Sequence, residues 1–340
     1  MGLARKLQET QKGVSQPERQ TGSSLPASQP PPRQPPPLSG HVPAAQPRPQ
    51  APAAQVPYPT AAPTTALIEQ RLLRLVTENQ LQAFYDGNLV RVLAQKLAAL
   101  DPVALGRKWN LPVELVYDLY GLALYDICFY CDDSGSMVFE ENGERVDDLR
   151  FILSRVADVA SVFDDDGISV RFMNSNVSGD FVRTPAEAET LVATVPFGGM
   201  TPLGTNLERK VFEPLVIQQV RRGTLRKPVL ALVITDGEPS GEPHDTILQV
   251  IRRVVGFTAS AGYGWGAVAV EIAQVGRDVR TQRFLAGLDS DPDVGSNIDC
   301  TSYYEMEAEE FLAKGINLTP ELWLLKVCLG AIDKSYDEQD

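Results

Sequence analysis

Between Tyr125 and Val275 four apolar runs, ICFYC, ISVRFM, VLALVIT and AVAVEIAQV, alternate with stretches of helical periodicity. Strands that are apolar almost throughout have to be covered on both faces, and strands that alternate with helices imply parallel pairing through crossovers. The helical stretches are DDLRFILSRVADVASVF, the segment from Gly204 to about Val220, DTILQVIRRVVGFTASA and VRTQRFLAGLD. This order predicts an α/β fold with a doubly wound, mostly parallel sheet, which places ligands in the crevice beyond the carboxyl ends of its strands.

Ahead of this region, residues 1–60 are dominated by Pro, Gln, Ala and Ser, with PPPRQPPPLSG at their centre and no aromatic residue before Tyr58. So little apolar surface does not offset chain entropy, and the segment reads as a disordered Pro-rich tail with polyproline II character. Pro32, Arg33 and the surrounding prolines would suit an SH3-type or WW-type partner, although composition alone favours a plain solvated tail. Gly2 stands where a myristoyl acceptor would, but Lys6 occupies the place of the Ser or Thr that such a motif wants.

Residues 61–124 read as a helical segment, with Leu67, Leu72, Leu73, Leu75, Val76 and Leu81 at three-to-four spacing. DPVALGRKWNLPVELVYDLYGLAL outlines two helices about a turn at Asn110 to Pro112. The second carries Glu114 and Asp118 and no Lys or Arg, so it offers phosphate no positive face and is expected to pack on the next domain instead of reading DNA. The α/β domain is placed at 125–316. A C-terminal helix and tail follow at 317–340, with Thr319 as N-cap and Pro320 in the first helical position.

Charge narrows the partners. The formal charge of -13, from 44 acidic and 31 basic residues, argues against nucleic acid and anionic membranes and favours a cation. Neither a secretory signal nor a run of about 18 uncharged apolar residues is apparent, so no membrane span is expected. Cys128, Cys131 and two further cysteines sit largely in apolar surroundings and read as free thiols of a reducing compartment, the cytoplasm. Cys128 and Cys131 have C-x-x-C spacing, but they fall within a strand and no second pair follows at zinc spacing.

The chemistry collects where the strands end. Asp132-Asp133-Ser134-Gly135-Ser136 follows ICFYC directly, Thr201 follows a glycine pair in GGMTPLGTNL, and Asp236 ends the run VLALVITD before Gly237. One carboxylate and two hydroxyls in a tight turn supply half the oxygen shell of a hard cation. Taken alone, D-x-S-x-S is ordinary turn chemistry; three such loops on one rim are more specific. Asp133 and Glu140 add charge to the first loop, read as solvating it. Glu271 interrupts an apolar strand, either as an edge residue facing solvent or as a paired buried carboxylate.

Together the three motifs resemble the metal-ion-dependent adhesion site of the von Willebrand factor A family, also called integrin I-like domains. The Pro-rich head and the flanking helices are similar to fungal members of that family. The resemblance implies that Ser134, Ser136 and Thr201 are hydroxyl ligands, that Asp132 and Asp236 bind directly or through water, and that a sixth position stays open for a partner's Asp or Glu. Mg2+ is the expected ion, with Mn2+ as an equivalent and Ca2+ left open.

The expected function is therefore a scaffold or adaptor that captures an acidic group of a protein partner through a divalent cation, without enzymatic activity. The alternative is a metal-dependent hydrolase of a small substrate, in which the ion activates water. That reading lacks a base: the only histidines are His41, in the Pro-rich head, and His244, and no G-x-S-x-G elbow or phosphate-binding P-loop is present.

Overall fold

A computed structural model of the chain describes residues 3–12, 64–164 and 167–336. Six strands form one sheet: β1 (Asp126–Cys131), β2 (Ile168–Phe172), β3 (Ser178–Val182), β4 (Val229–Thr235), β5 (Val268–Gln274) and β6 (Ile298–Thr301). Their spatial order is β3-β2-β1-β4-β5-β6. All neighbours pair in parallel except β2 and β3. Every residue of β4 and β5 is buried, as central strands covered on both faces require. The predicted α/β class and mostly parallel sheet are observed. The antiparallel edge strand SGDFV and the short strand IDCT were not anticipated.

The direction of strand order reverses between β1 and β4, so a crevice opens where their carboxyl ends diverge. Register carries both chains to the same level, with Cys131 opposite Ile234 and the Asp132 amide donating to the Ile234 carbonyl over 2.8 Å. Asp132 and Asp236 therefore leave neighbouring strands side by side. The predicted helices are present as Glu144–Phe163, Thr246–Ser260, Val279–Asp289 and a continuous run over Leu203–Arg222. The last has π-helical pairing through Glu208–Ile217 around Pro214, a register that tolerates the missing proline N–H.

The helical segment belongs to the same hydrophobic core as the sheet. Trp109 ends the Pro102–Trp109 helix, donates from Nε1 to Asp158 over 3.0 Å and packs on Phe163. Asn110 turns the chain in the left-handed region before Val113–Asp118, at the turn expected from the sequence. In the Thr65–Glu78 helix Ile68, Leu72, Leu75 and Val76 face the core, whereas Leu67 and Leu73 face solvent.

The expectation of a structureless tail from residue 1 is corrected at its start, because Leu3–Lys12 is a helix. A ten-residue helix is marginal alone; this one is held by tertiary contact. Leu3, Ala4 and Leu7 are buried. Lys6 reaches Asp118 over 2.8 Å and lies 3.9 Å above the Tyr336 ring. Asp118 also takes Arg71 over 2.6 Å and the Tyr336 hydroxyl. The start and end of the chain are thus tied to one buried carboxylate. Pro32, Arg33 and His41 lie outside the described residues.

Near the carboxyl terminus Gly315 breaks the Tyr304–Ala313 helix at φ +76°. Thr319 caps Pro320–Leu329 through the Leu322 amide. No helix among the described residues is long and apolar enough to cross a membrane.

Candidate metal centre

The five expected ligand residues lie on three neighbouring loops at the crevice. The Asp132 carboxylate is wholly buried and oriented from two sides: Oδ1 accepts the Ser134 amide over 2.8 Å and Oδ2 accepts the Thr235 hydroxyl over 2.7 Å. From there a polar chain runs across the rim. Ser134 Oγ lies 3.0 Å from Ser136 Oγ, which donates to Asp236 Oδ1 over 3.1 Å. Thr201 stands on the adjoining loop, its Oγ1 4.0 Å from where a Cβ on Gly237 would lie. That loop is fixed by the Thr201 amide donating to Ser240 Oγ over 2.8 Å and by the Gly135 amide donating to the Gly199 carbonyl over 3.3 Å. Gly199 has φ +104°, and a Cβ there would fall 2.8 Å from Asn174 Oδ1, so both conformation and space call for glycine.

All five side chains offer oxygen, the donor type of Mg2+, Mn2+ and Ca2+. In an octahedron with bonds of about 2.1 Å, neighbouring corners are about 3.0 Å apart. The spacings of 3.0 and 3.1 Å along Ser134, Ser136 and Asp236 match such corners. Among the described residues no group of three or more His, Cys, Asp or Glu side chains is arranged to hold a metal; an ion here would depend on the hydroxyls as much as on the two acids.

Burial resists ionisation of both acids. Burial first, and the neighbouring Asp236 carboxylate second, push Asp132 up to about 7. Asp236 is also raised by burial, against the opposing pull of Arg145 and Ser136.

Several residues that shape the rim were not foreseen. Arg145, from the first turn of the Glu144–Phe163 helix, is almost fully buried and sets Nη1 2.5 Å from Asp236 Oδ2. Thr235 orients Asp132. Glu242 accepts the amides of Gly204 and Thr205 over 2.6 and 2.9 Å, holding the start of the helix that follows Thr201. Asp133, read as a solvating charge, is instead fully buried and accepts the backbone amides of Asn174 and Ser175, each over 2.7 Å. It ties the end of β1 to that of β2. Glu140 does face solvent, paired with Arg145 over 2.9 Å.

The remaining candidates are placed away from the ligands or have a structural role. Cys128 and Cys131 are buried free thiols in β1, with Cys128 pushed up to about 12 by burial. His244 is exposed beside Glu238 at 3.5 Å. Glu271 resolves to the buried alternative, accepting Thr301 Oγ1 over 2.8 Å and the Ala331 amide over 3.1 Å.

No family model matches this chain, and no curated protein is similar enough to it to show kinship.

Two apolar side chains stand beside this polar rim. Phe139, three residues past Ser136, is 84% exposed, the highest value among the exposed large apolar side chains, and Met200, just before Thr201, is 62% exposed.

Proposed function

We propose that the three loops bind one divalent cation, ordinarily Mg2+, and use it to capture an Asp or Glu side chain of a protein partner, as von Willebrand factor A-type domains do. The observation that carries this reading is the chain Asp132, Ser134, Ser136, Asp236 at the carboxyl end of the sheet, linked at hydrogen-bond distances through the Ser134 amide and the two serine hydroxyls, with side chains that all offer oxygen. Ion affinity from two acids and neutral hydroxyls is modest, so the ion keeps Lewis acidity for an incoming carboxylate. Phe139 and Met200 supply an apolar flank, which suits an acidic residue set among apolar neighbours in the partner. The role is that of a scaffold or adaptor without a catalytic step; His244 pairs with Glu238 and joins none of the bonds that link the proposed ligands.

Capture is tested with the full chain immobilised and partners eluted by chelator. Retention should depend on Mg2+ and vanish in Asp132→Asn, while far-UV circular dichroism stays unchanged. Retention that survives both chelator and substitution would overturn the reading.

A further inference from the structure

Arg145 is a costly side chain to place where it lies. A buried guanidinium needs matched partners, and this one is held from two directions: Nη1 on Asp236 Oδ2 at 2.5 Å, Nε and Nη2 on Glu141 Oε1 at 3.1 and 2.7 Å, with Glu140 at 2.9 Å. Its seat is shaped for it. Gly276 adopts φ +74°, and a Cβ there would fall 2.4 Å from Arg145 Nε. The helix that carries it could have stabilised itself with Glu141 alone; the reach to Asp236 joins it to a proposed ligand.

We propose that Arg145 is the specificity-determining residue of the rim, a fixed counter-cation that keeps Asp236 from fully neutralising a bound divalent ion and so strengthens the pull of the ion on a partner's carboxylate. The inference rests on the metal reading above. At the ligand atoms Asp132 and Asp236 would together cancel a divalent ion. The guanidinium bonded to Asp236 offsets part of that charge, so the loaded rim is less negative than it would be without Arg145. Asp133, whose oxygens accept amides, adds its charge whether or not Arg145 is present and so does not enter the comparison. Glu141 and the exposed Glu140 share the same guanidinium through Nε and Nη2, so Arg145 lowers the negative charge around Asp236 without reversing it. A charge of like sign close to the ion weakens ion binding and strengthens anion binding, so the two affinities are set in opposite directions by one side chain.

Calorimetric titration of the full chain with MgCl2 tests this, run with sodium acetate and with sodium chloride at equal ionic strength. In the natural protein acetate should tighten Mg2+ binding by about threefold or more, the mark of a carboxylate joining the ion. Arg145→Gln should bind Mg2+ about tenfold more tightly and lose the acetate effect. Arg145→Lys, which keeps the charge, should stay close to the natural protein. Arg145→Met keeps the aliphatic stem and replaces the Gln variant if that one does not fold. Mg2+ affinity that is unchanged or weaker in Arg145→Gln, or an acetate effect that persists there, would overturn the proposal, as would a Lys variant that behaves like Gln. Absence of saturable Mg2+ binding in both the natural protein and Arg145→Gln would instead overturn the metal reading and this inference with it.

Discussion

Two pairs of acidic side chains are buried on neighbouring parallel strands, and they are balanced by different means. Glu271 and Asp299 face each other in register on β5 and β6. Glu271 is hydrogen-bonded to Asp299 and held well above the usual carboxyl range by burial first and by Asp299 second. The Thr301 hydroxyl and the Ala331 amide bond to Glu271, and a shift in this direction favours a proton held by the pair. Gly330 closes over it, with Asp299 Oδ2 only 1.9 Å from where a Cβ would lie. Asp132 accepts the Thr235 hydroxyl and the Ser134 amide, and Asp236 accepts the half-buried Ser136 hydroxyl and the Arg145 guanidinium. Burial of two acids does not by itself make a cation site. What separates the pairs is their company: a strand hydroxyl and a backbone amide at Glu271, two hydroxyls and a guanidinium at Asp132 and Asp236.

The comparison breaks most visibly by truncation at the closed pair. Glu271→Ala strands the Thr301 hydroxyl and the Ala331 amide and should cost about 3 kcal/mol in urea unfolding, whereas Glu271→Gln, which mimics the protonated acid, should stay within about 1 kcal/mol. Equal losses would contradict the shared proton. At the open pair the sign should reverse. Asp132→Asn keeps the shape and removes a charge that resists ionising, and should stabilise the metal-free protein by about 1 to 3 kcal/mol at pH 8. Destabilisation there would show that the rim has no unmet charge.

Acidity sharpens the same contrast. Asp132 is raised to about 7, so between the ordinary carboxyl range and pH 7 the folded protein holds a proton that the unfolded chain has released. Stability of the metal-free protein therefore falls as pH rises through that window, and Glu271, raised by burial, adds a penalty of the same sign that begins in the same ordinary carboxyl range. Since Mg2+ binds the ionised form, the rise in melting temperature that it causes should be larger at pH 8 than at pH 5.5. Equal shifts would separate ion binding from Asp132. The smallest effect is expected at Asp133→Asn, where one of two amide bonds to the end of β2 is lost at a cost of about 1 kcal/mol, with Mg2+ affinity little changed.

How much of this could be read from the chain differs by element. The strands β1, β2, β4 and β5 announce themselves as apolar runs because both of their faces are covered, whereas SGDFV lies at the sheet edge with mostly exposed residues and IDCT is only four residues long. The Pro185–Ala193 helix was not anticipated; Thr184 and Glu187 form a reciprocal cap at its start. Nor was Leu3–Lys12, because Leu3 and Leu7 mark a helix only when there is a surface to receive them. At the rim, short polar residues at strand ends were visible as ligands, and the topology brings them to neighbouring loops. Arg145 was hidden because its link to Asp236 spans 91 positions, and its local pattern with Glu141 is that of any i,i+4 pair. Asp133 reads like its neighbour Asp132; only the turn decides that one carboxylate faces the rim chain and the other the amides of Asn174 and Ser175.

The most direct test of the central claim is isothermal titration of the full chain with Mg2+, beside Asp132→Asn and Asp236→Asn variants of unaltered circular dichroism. One saturable site in the natural protein, weakened at least about a hundredfold by Asp132→Asn and strongly by Asp236→Asn, is the result this account predicts. Absence of saturable binding in the natural protein, or binding of equal strength in both variants, would contradict it.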